Sequence, residues 1–247
     1  MSINSIKEWW HRALIRIGKI VGPGYSCYVC GRDLENIEYP ICNNCKIDME
    51  KIGTSVCLKC GAPVNGDSHY CSECYGKNRD FDMARASYVY NPACSKIVAD
   101  LKYNKKKYIS KFMAEEMYAR LIDFDTMPDI IVPVPITKKR YNKRGFNQSE
   151  LIAEELEKLI GADVVRKDLV FRGVDRLPQA GLSKAERLIN LKGAFSVDKT
   201  KNIKGKTVLV VDDVFTTGST VGEVIRLLRE LKPKSVYVLT FAKTIEN

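Results

Sequence analysis

A chain of 247 residues, 45% hydrophobic and 28% charged, has enough apolar mass for one large or two smaller globular domains. No apolar run is long enough to cross a bilayer, and no signal core leads into a small-residue cleavage site, so the sequence reads as soluble and cytoplasmic. The net charge of +10 is uneven: residues 1–80 carry ten Lys and Arg against nine Asp and Glu, residues 81–247 thirty against twenty-one, so the second part offers the basic surface that phosphate-rich ligands or nucleic acid require.

Residues 3–17 space Ile6, Trp9, Trp10, Ala13, Leu14 and Ile17 along one helical face, with Lys7, Glu8, Arg12 and Arg16 between them. Gly22-Pro23-Gly24 ends that pattern, so residues 1–24 are expected to form an amphipathic helix packed on the rest of the protein.

Residues 25–80 carry little apolar periodicity and eight of the nine cysteines. These fall in four C-x-x-C pairs, Cys27/Cys30, Cys42/Cys45, Cys57/Cys60 and Cys71/Cys74, which is metal-ligand spacing rather than a disulfide framework. CYVCGRD…CNNC is echoed by CLKCGAP…CSEC, a weak repeat that predicts two structural zinc sites, each of four cysteines, in a zinc-ribbon-like domain. Sequential grouping makes each half repeat the other; a cross-braced arrangement stays open. His69, two residues before Cys71, is expected in an exposed loop, and the solitary Cys94 as a small buried hydrophobe.

From residue 81 to 247 strands and helices alternate. Ala86–Tyr90 reads as a strand, Ser95–Tyr103 as a helix, and Lys111–Phe124 as another. DIIVPVP (Asp129–Pro135) is a short buried strand closed by prolines. A helix over Ser149–Leu159 follows, with Asn147 and Glu150 spaced as an N-cap. Val208–Val211 and Val236–Phe241 are strands flanking a helix over Val221–Leu231. Strands that are uniformly apolar rather than alternating predict a mainly parallel α/β sheet with helices on both faces.

In such a sheet a ligand sits beyond the carboxyl ends of the strands. There Asp212 and Asp213 follow Val208–Val211, and Thr216, Thr217, Gly218, Ser219 and Thr220 lead into the next helix. Backbone N–H groups, hydroxyls and the positive end of the helix dipole make an anion site, with Gly218 allowing close approach. Two carboxylates would repel that anion, so they must serve another part of the ligand, such as vicinal ribose hydroxyls or a metal ion.

VLVVDDVFTTGST (Val208–Thr220) resembles the signature of the type I phosphoribosyltransferase fold, which binds 5-phosphoribosyl-1-diphosphate (PRPP) with Mg²⁺. With IVADLKYNKK (Ile97–Lys106), VPVPITKKRYNKRGFNQSELIAEEL (Val132–Leu156), RLPQAGLSKAERLINLKGAF (Arg176–Phe195) and the leading cysteine module, nearly the whole chain resembles the ComF family of competence-associated proteins. That resemblance implies Asp212 and Asp213 on the ribose hydroxyls and Thr216–Thr220 around the 5′-phosphate. It also implies a diphosphate grip in the loop after Asp129–Val134, where Arg140 and Arg144 fall in the R-x-x-x-R-G-F-N-Q block among Lys138, Lys139 and Lys143. Arg176, Gln179, Arg187 and Asn190 would belong to a mobile loop that closes on the ligand.

The family's role implies work on incoming single-stranded DNA in the cytoplasm during natural transformation, beside uptake helicase or processing proteins. Lys102, Tyr103, Lys105, Lys106 and Lys107 interleave cations with an aromatic as such a strand requires. Three uses of the pocket stay open: a part in DNA uptake, phosphoribosyl transfer to an unidentified nucleobase-like acceptor, or non-catalytic sensing of PRPP or a nucleotide.

Overall fold

The computed structural model describes residues 26–34, 40–66, 68–77, 79–173 and 193–245; the expected helix within 1–24 and the loop carrying Arg176, Gln179, Arg187 and Asn190 lie outside them. Four parallel strands form the central sheet in the order β1 (Met83–Val89), β6 (Ser235–Lys243), β5 (Thr207–Phe215) and β2 (Ile130–Pro133). β5 is apolar without alternation because both faces are covered. Leu209 and Val211 join one core cluster, Val208 and Val210 another, and all four are fully buried.

The first face is covered by α2 (Pro92–Tyr103), α3 (Ile109–Tyr118) and α5 (Gln148–Ile160), which contribute Ile97, Leu101, Met113, Met117, Ile152 and Leu156. The second is covered by α6 (Ser219–Glu230) through Val221, Val224, Ile225 and Leu228, an i, i+3, i+4, i+7 stripe. Each large side chain buried this way contributes roughly 1.5–3 kcal/mol. A short antiparallel pair, β3 (Val170–Arg172) with β4 (Phe195–Val197), stands apart from the main sheet.

Several boundaries differ from the sequence expectation. β5 runs on to Phe215, because Asp212, Val214 and Phe215 stay in register with Thr240, Ala242 and Lys243 of β6. The expected helix over Lys111–Phe124 stops at Tyr118 and resumes as a 3-10 turn, Leu121–Asp123. The basic stretch after β2 is a short helix rather than a loop: α4 (Lys138–Arg144) is capped by the Thr137 side chain, which accepts from Arg140 N at 3.3 Å, and is ended by left-handed Gly145.

The cysteine segment straddles β1. Its first knuckle, with the short helix α1 (Asn43–Asp48), packs Cys27, Ile41, Cys45 and Met49 against the α2–α3 face; its second packs Cys57, Cys60, Ala62 and Cys74 against the α6 face. Between them the chain pairs with the open edge of β1: Val89 N donates to Glu50 O and Ile52 N to Ser87 O, both at 2.9 Å. Gly61 makes the closest approach; a Cβ there would lie 2.6 Å from Ala84 O, and its φ is +69°. At the other edge, Ile131 N donates to Val164 O at 2.8 Å, so both outer strands are sheltered from pairing with another chain.

Candidate functional site

The cysteine sulfurs gather in chain order: Cys27, Cys30, Cys42 and Cys45 in one group, Cys57, Cys60, Cys71 and Cys74 in the other, with the ligand atoms of each group within 4.8 Å of one another. A tetrahedron with bonds of about 2.3 Å has edges of about 3.8 Å. Cys30 and Cys42 stand 3.8 Å apart and Cys60 and Cys71 3.6 Å, so both tetrads fit one zinc ion each and the cross-braced alternative is not the arrangement found. N–H donors aim at the sulfurs, Cys42 N at Cys27 Sγ (3.4 Å), Cys60 N at Cys57 Sγ (3.5 Å) and Arg32 Nε at Cys30 Sγ (3.4 Å), as thiolates require. His69 is exposed and outside both groups. Cys94 is fully buried in the core, and burial pushes its thiol up to about 11, leaving it inert.

At the carboxyl end of β5, Asp213 is 3% exposed. Its carboxylate pairs with Lys102 Nζ, from the last turn of α2, and accepts from Gln148 Nε2 at 3.0 Å. Gln148 in turn accepts from Arg144, so a glutamine of α5 and a lysine of α2 meet one carboxylate directly and an arginine of α4 reaches it through the glutamine. Asp212 is half-buried and accepts from Ser149 Oγ at 2.8 Å and from Asp213 N at 2.9 Å. Burial, then the charge of Asp213, raises the Asp212 carboxyl; burial acts on Asp213 in the same sense, but Lys102 outweighs it and holds that carboxyl low. The pair therefore presents one fixed anion, Asp213, and one carboxyl, Asp212, that keeps its proton more readily than a free one.

The following turn places Gly218 at the N-cap of α6 with φ +75° and no side-chain cap hydrogen bond. A Cβ at Gly218 would lie 2.7 Å from the Phe215 ring and would carry the strain of the positive φ, so glycine is the residue the turn favours. Thr217 Oγ1 and Ser219 Oγ are 2.7 Å apart, and Thr217 Oγ1 accepts from Ser219 N at 3.4 Å, so the hydroxyls gather at the start of α6, where backbone N–H groups lack intrahelical acceptors. Beneath it Lys243 is 1% exposed, with its Nζ 4.2 Å from the Phe215 ring centroid; a buried cation in a strand that reads as plain apolar gave no signal in the sequence.

A cavity of ≈ 490 Å³ lies next to this pair, lined by Lys102, Tyr103, Lys105, Ile136, Arg140, Lys143, Arg144 and Gln148. Arg140 and Arg144, expected on diphosphate, thus share one concavity with Lys102, Tyr103 and Lys105, expected on DNA. The rest of that basic stretch is committed elsewhere: Lys106 pairs with Asp100 at 2.8 Å, and Lys107 Nζ lies 5.1 Å from the Phe146 ring. Lys102 is not a free cation of a DNA face either, since it holds Asp213.

A model of the Phosphoribosyl transferase domain matches residues 112–246, more than half of the chain, and one of the Double zinc ribbon domain matches residues 19–75. The DNA utilization protein YhgH of Salmonella typhi is 31% identical over 224 residues, 89% of this chain and 97% of that protein. The Competence protein F of Haemophilus influenzae is 28% identical with the same coverage. The chain belongs to the ComF family. Competence protein ComFC of Bacillus subtilis is a further relative, 28% identical over 214 residues and covering 81% of this chain and 82% of that protein. Among solved structures, a hypoxanthine-guanine phosphoribosyltransferase from Bacillus anthracis is 19% identical over 56% of this chain and 70% of its own, with a TM-score of 0.36.

In this ComF-family chain the two cysteine tetrads are structural zinc sites in a double zinc ribbon, closed by four sulfurs each. Gln148 and Ser149 are site residues that motif reading passed over. They stand directly after the N-cap Asn147, and a helix start aimed at the carboxyl end of a neighbouring strand was the available signal.

Proposed function

We propose that the site at the carboxyl end of β5 binds PRPP or a closely related ribose phosphate with Mg²⁺, in a protein that handles single-stranded DNA during DNA uptake. The observation that carries the ligand reading is the braced pair Asp212–Asp213 standing beside an uncapped helix N-terminus. Asp212 is the acceptor for the ribose hydroxyls, Asp213 the anion that holds Lys102 and Gln148 in place, and Thr216–Thr220 the cradle of the 5′-phosphate. Arg140, Lys143 and Arg144 line the cavity where a diphosphate belongs.

Among the described residues no group of three ligand-type side chains outside the cysteine tetrads can hold a cation. Mg²⁺ bound together with the ligand would supply neutralisation of the diphosphate as a leaving group. Should transfer occur, the bond between ribose C1′ and the diphosphate oxygen breaks as an acceptor nitrogen bonds to C1′, and Arg140 and Arg144 receive the departing charge.

The DNA part of the reading follows the names of the relatives, competence proteins and DNA utilization proteins, together with the basic, aromatic-bearing rim of the cavity. Calorimetry with PRPP and Mg²⁺ tests the ligand: the parent binds, Asp212→Asn/Asp213→Asn does not, and Lys102→Met binds at least about tenfold more weakly because Asp213 loses its partner. Parental affinity in the double variant would refute the assignment. Diphosphate release across a panel of nucleobases separates transfer from sensing. Complementation of a deletion strain in a transformation assay by parent and double variant then tells whether the pocket serves DNA uptake.

A further inference from the structure

Sequence reading keeps two surfaces apart, cations after β2 for a diphosphate and an aromatic-basic stretch at the end of α2 for a nucleic-acid strand. The fold does not keep them apart. Tyr103 and Lys105 line the same cavity as Arg140, Lys143 and Arg144, and Lys102 reaches from that wall to Asp213.

Tyr103 ends α2 and is 71% exposed, an unusual position for a large ring inside a polar concavity. The Arg144 guanidinium lies 5.4 Å from its ring centroid, so the ring is held against a cation drawn from the diphosphate wall. Two residues on, Lys105 adopts φ +55°, an uncommon conformation for a residue with a Cβ, and the turn keeps it on the cavity wall. An open ring, a cation pressed to it and further cations within one cavity make up a platform for a base with a seat for the adjoining phosphates.

We propose that single-stranded DNA docks in the cavity that takes the diphosphate of PRPP, with a base stacked on Tyr103 and the neighbouring phosphates among Lys105, Arg140 and Lys143, so that the two ligands exclude one another. This rests on the reading above that the site takes PRPP and that the protein handles single strands. Exclusion follows from charge and size: a volume of ≈ 490 Å³ suits one ligand of this class, and a second polyanion would have to share Arg140 and Arg144 with the first. The consequence is a strand held while PRPP is scarce and released when PRPP fills the site.

The test uses the full zinc-loaded chain and a fluorescein-labelled oligothymidylate followed by anisotropy. Separate titrations with the oligonucleotide and, by calorimetry, with PRPP–Mg²⁺ judge the underlying reading; displacement judges the inference. Expected is full displacement of the oligonucleotide by PRPP–Mg²⁺ at concentrations matching its own affinity, while sulfate of equal ionic strength leaves the strand bound. The Asp212→Asn/Asp213→Asn protein stays on the oligonucleotide at PRPP concentrations that strip the parent. Tyr103→Ala weakens the oligonucleotide about tenfold and Tyr103→Phe restores it, in line with the loss of one stacked base. A ternary complex at saturating PRPP, equal displacement by sulfate, or parental oligonucleotide affinity in Tyr103→Ala would each overturn the shared cavity.

Discussion

The two cysteine tetrads have the same ligands and the same C-x-x-C pairs, yet they stand in different surroundings. The first buries Cys27 and Cys45 against the α2–α3 face but exposes Cys30 and Arg32 to solvent. The second is buried at Cys57, Cys60 and Cys74, shares a core cluster with Phe81 and Phe215, and so lies in the layer beneath the Gly218 turn. Identical metal chemistry is therefore set to fail differently: loss at the first site loosens a rim, while loss at the second disturbs the layer beneath Gly218.

The sharpest way to break this contrast is to remove one thiolate from each. Cys57→Ser is expected to drop zinc content from two equivalents to one and to cost about 3 kcal/mol or more, well within the roughly 10–16 kcal/mol that a structural zinc supplies to a finger peptide. Cys30→Ser should lose its zinc with a smaller shift in melting temperature. Metal analysis beside calorimetric melting checks both, and equal losses would erase the distinction.

A second contrast sets the tetrads against a buried carboxylate that needs no metal. Asp100 is 1% exposed and accepts from Lys96 and Asn104 at 2.6 Å and from Lys106 at 2.8 Å. Burial pushes its carboxyl up, but these donors outweigh burial and hold it at about 2. Because the folded value lies below the unfolded value of about 3.9, the stabilisation is complete above about pH 4 and is lost as the pH falls toward 2. Asp100→Ala should cost about 1.5–3 kcal/mol in urea unfolding near neutrality, and Asp100→Asn should flatten the acid limb.

Gly218→Ala probes the layer the second tetrad shares. A positive φ and the Phe215 ring together predict a cost of about 1–2 kcal/mol, with weaker PRPP binding by calorimetry. The smallest effect is expected at the rim: Arg32→Ala should quicken zinc release from the first tetrad about threefold, read with a chromophoric chelator, without moving the urea midpoint.

Much of this arrangement was legible in the sequence because it is local. Four C-x-x-C pairs, the β-branched run before Asp212 and Asp213, and the small residues around Gly218 each signal their chemistry within a short stretch of chain. What was illegible is long-range. Lys102 stands 111 positions before Asp213, and a lysine at a helix end looks the same whether it faces water or a buried carboxylate. Lys106 and Lys107 read as one basic run with Lys105, yet Asp100 claims the first and Phe146 the second, which only the turn after α2 decides. Periodicity assigns faces, not which loop ends a parallel sheet gathers into one cavity.

The stretch Glu50–Ile52 lies along β1 because a zinc knuckle holds the chain on either side of it. Removing the metal therefore uncovers a row of backbone donors and acceptors on an apolar strand, a template onto which a second molecule can add. For this protein chelation is a self-association hazard as well as a loss of stability, and the zinc ribbon doubles as the guard of the sheet's open edge.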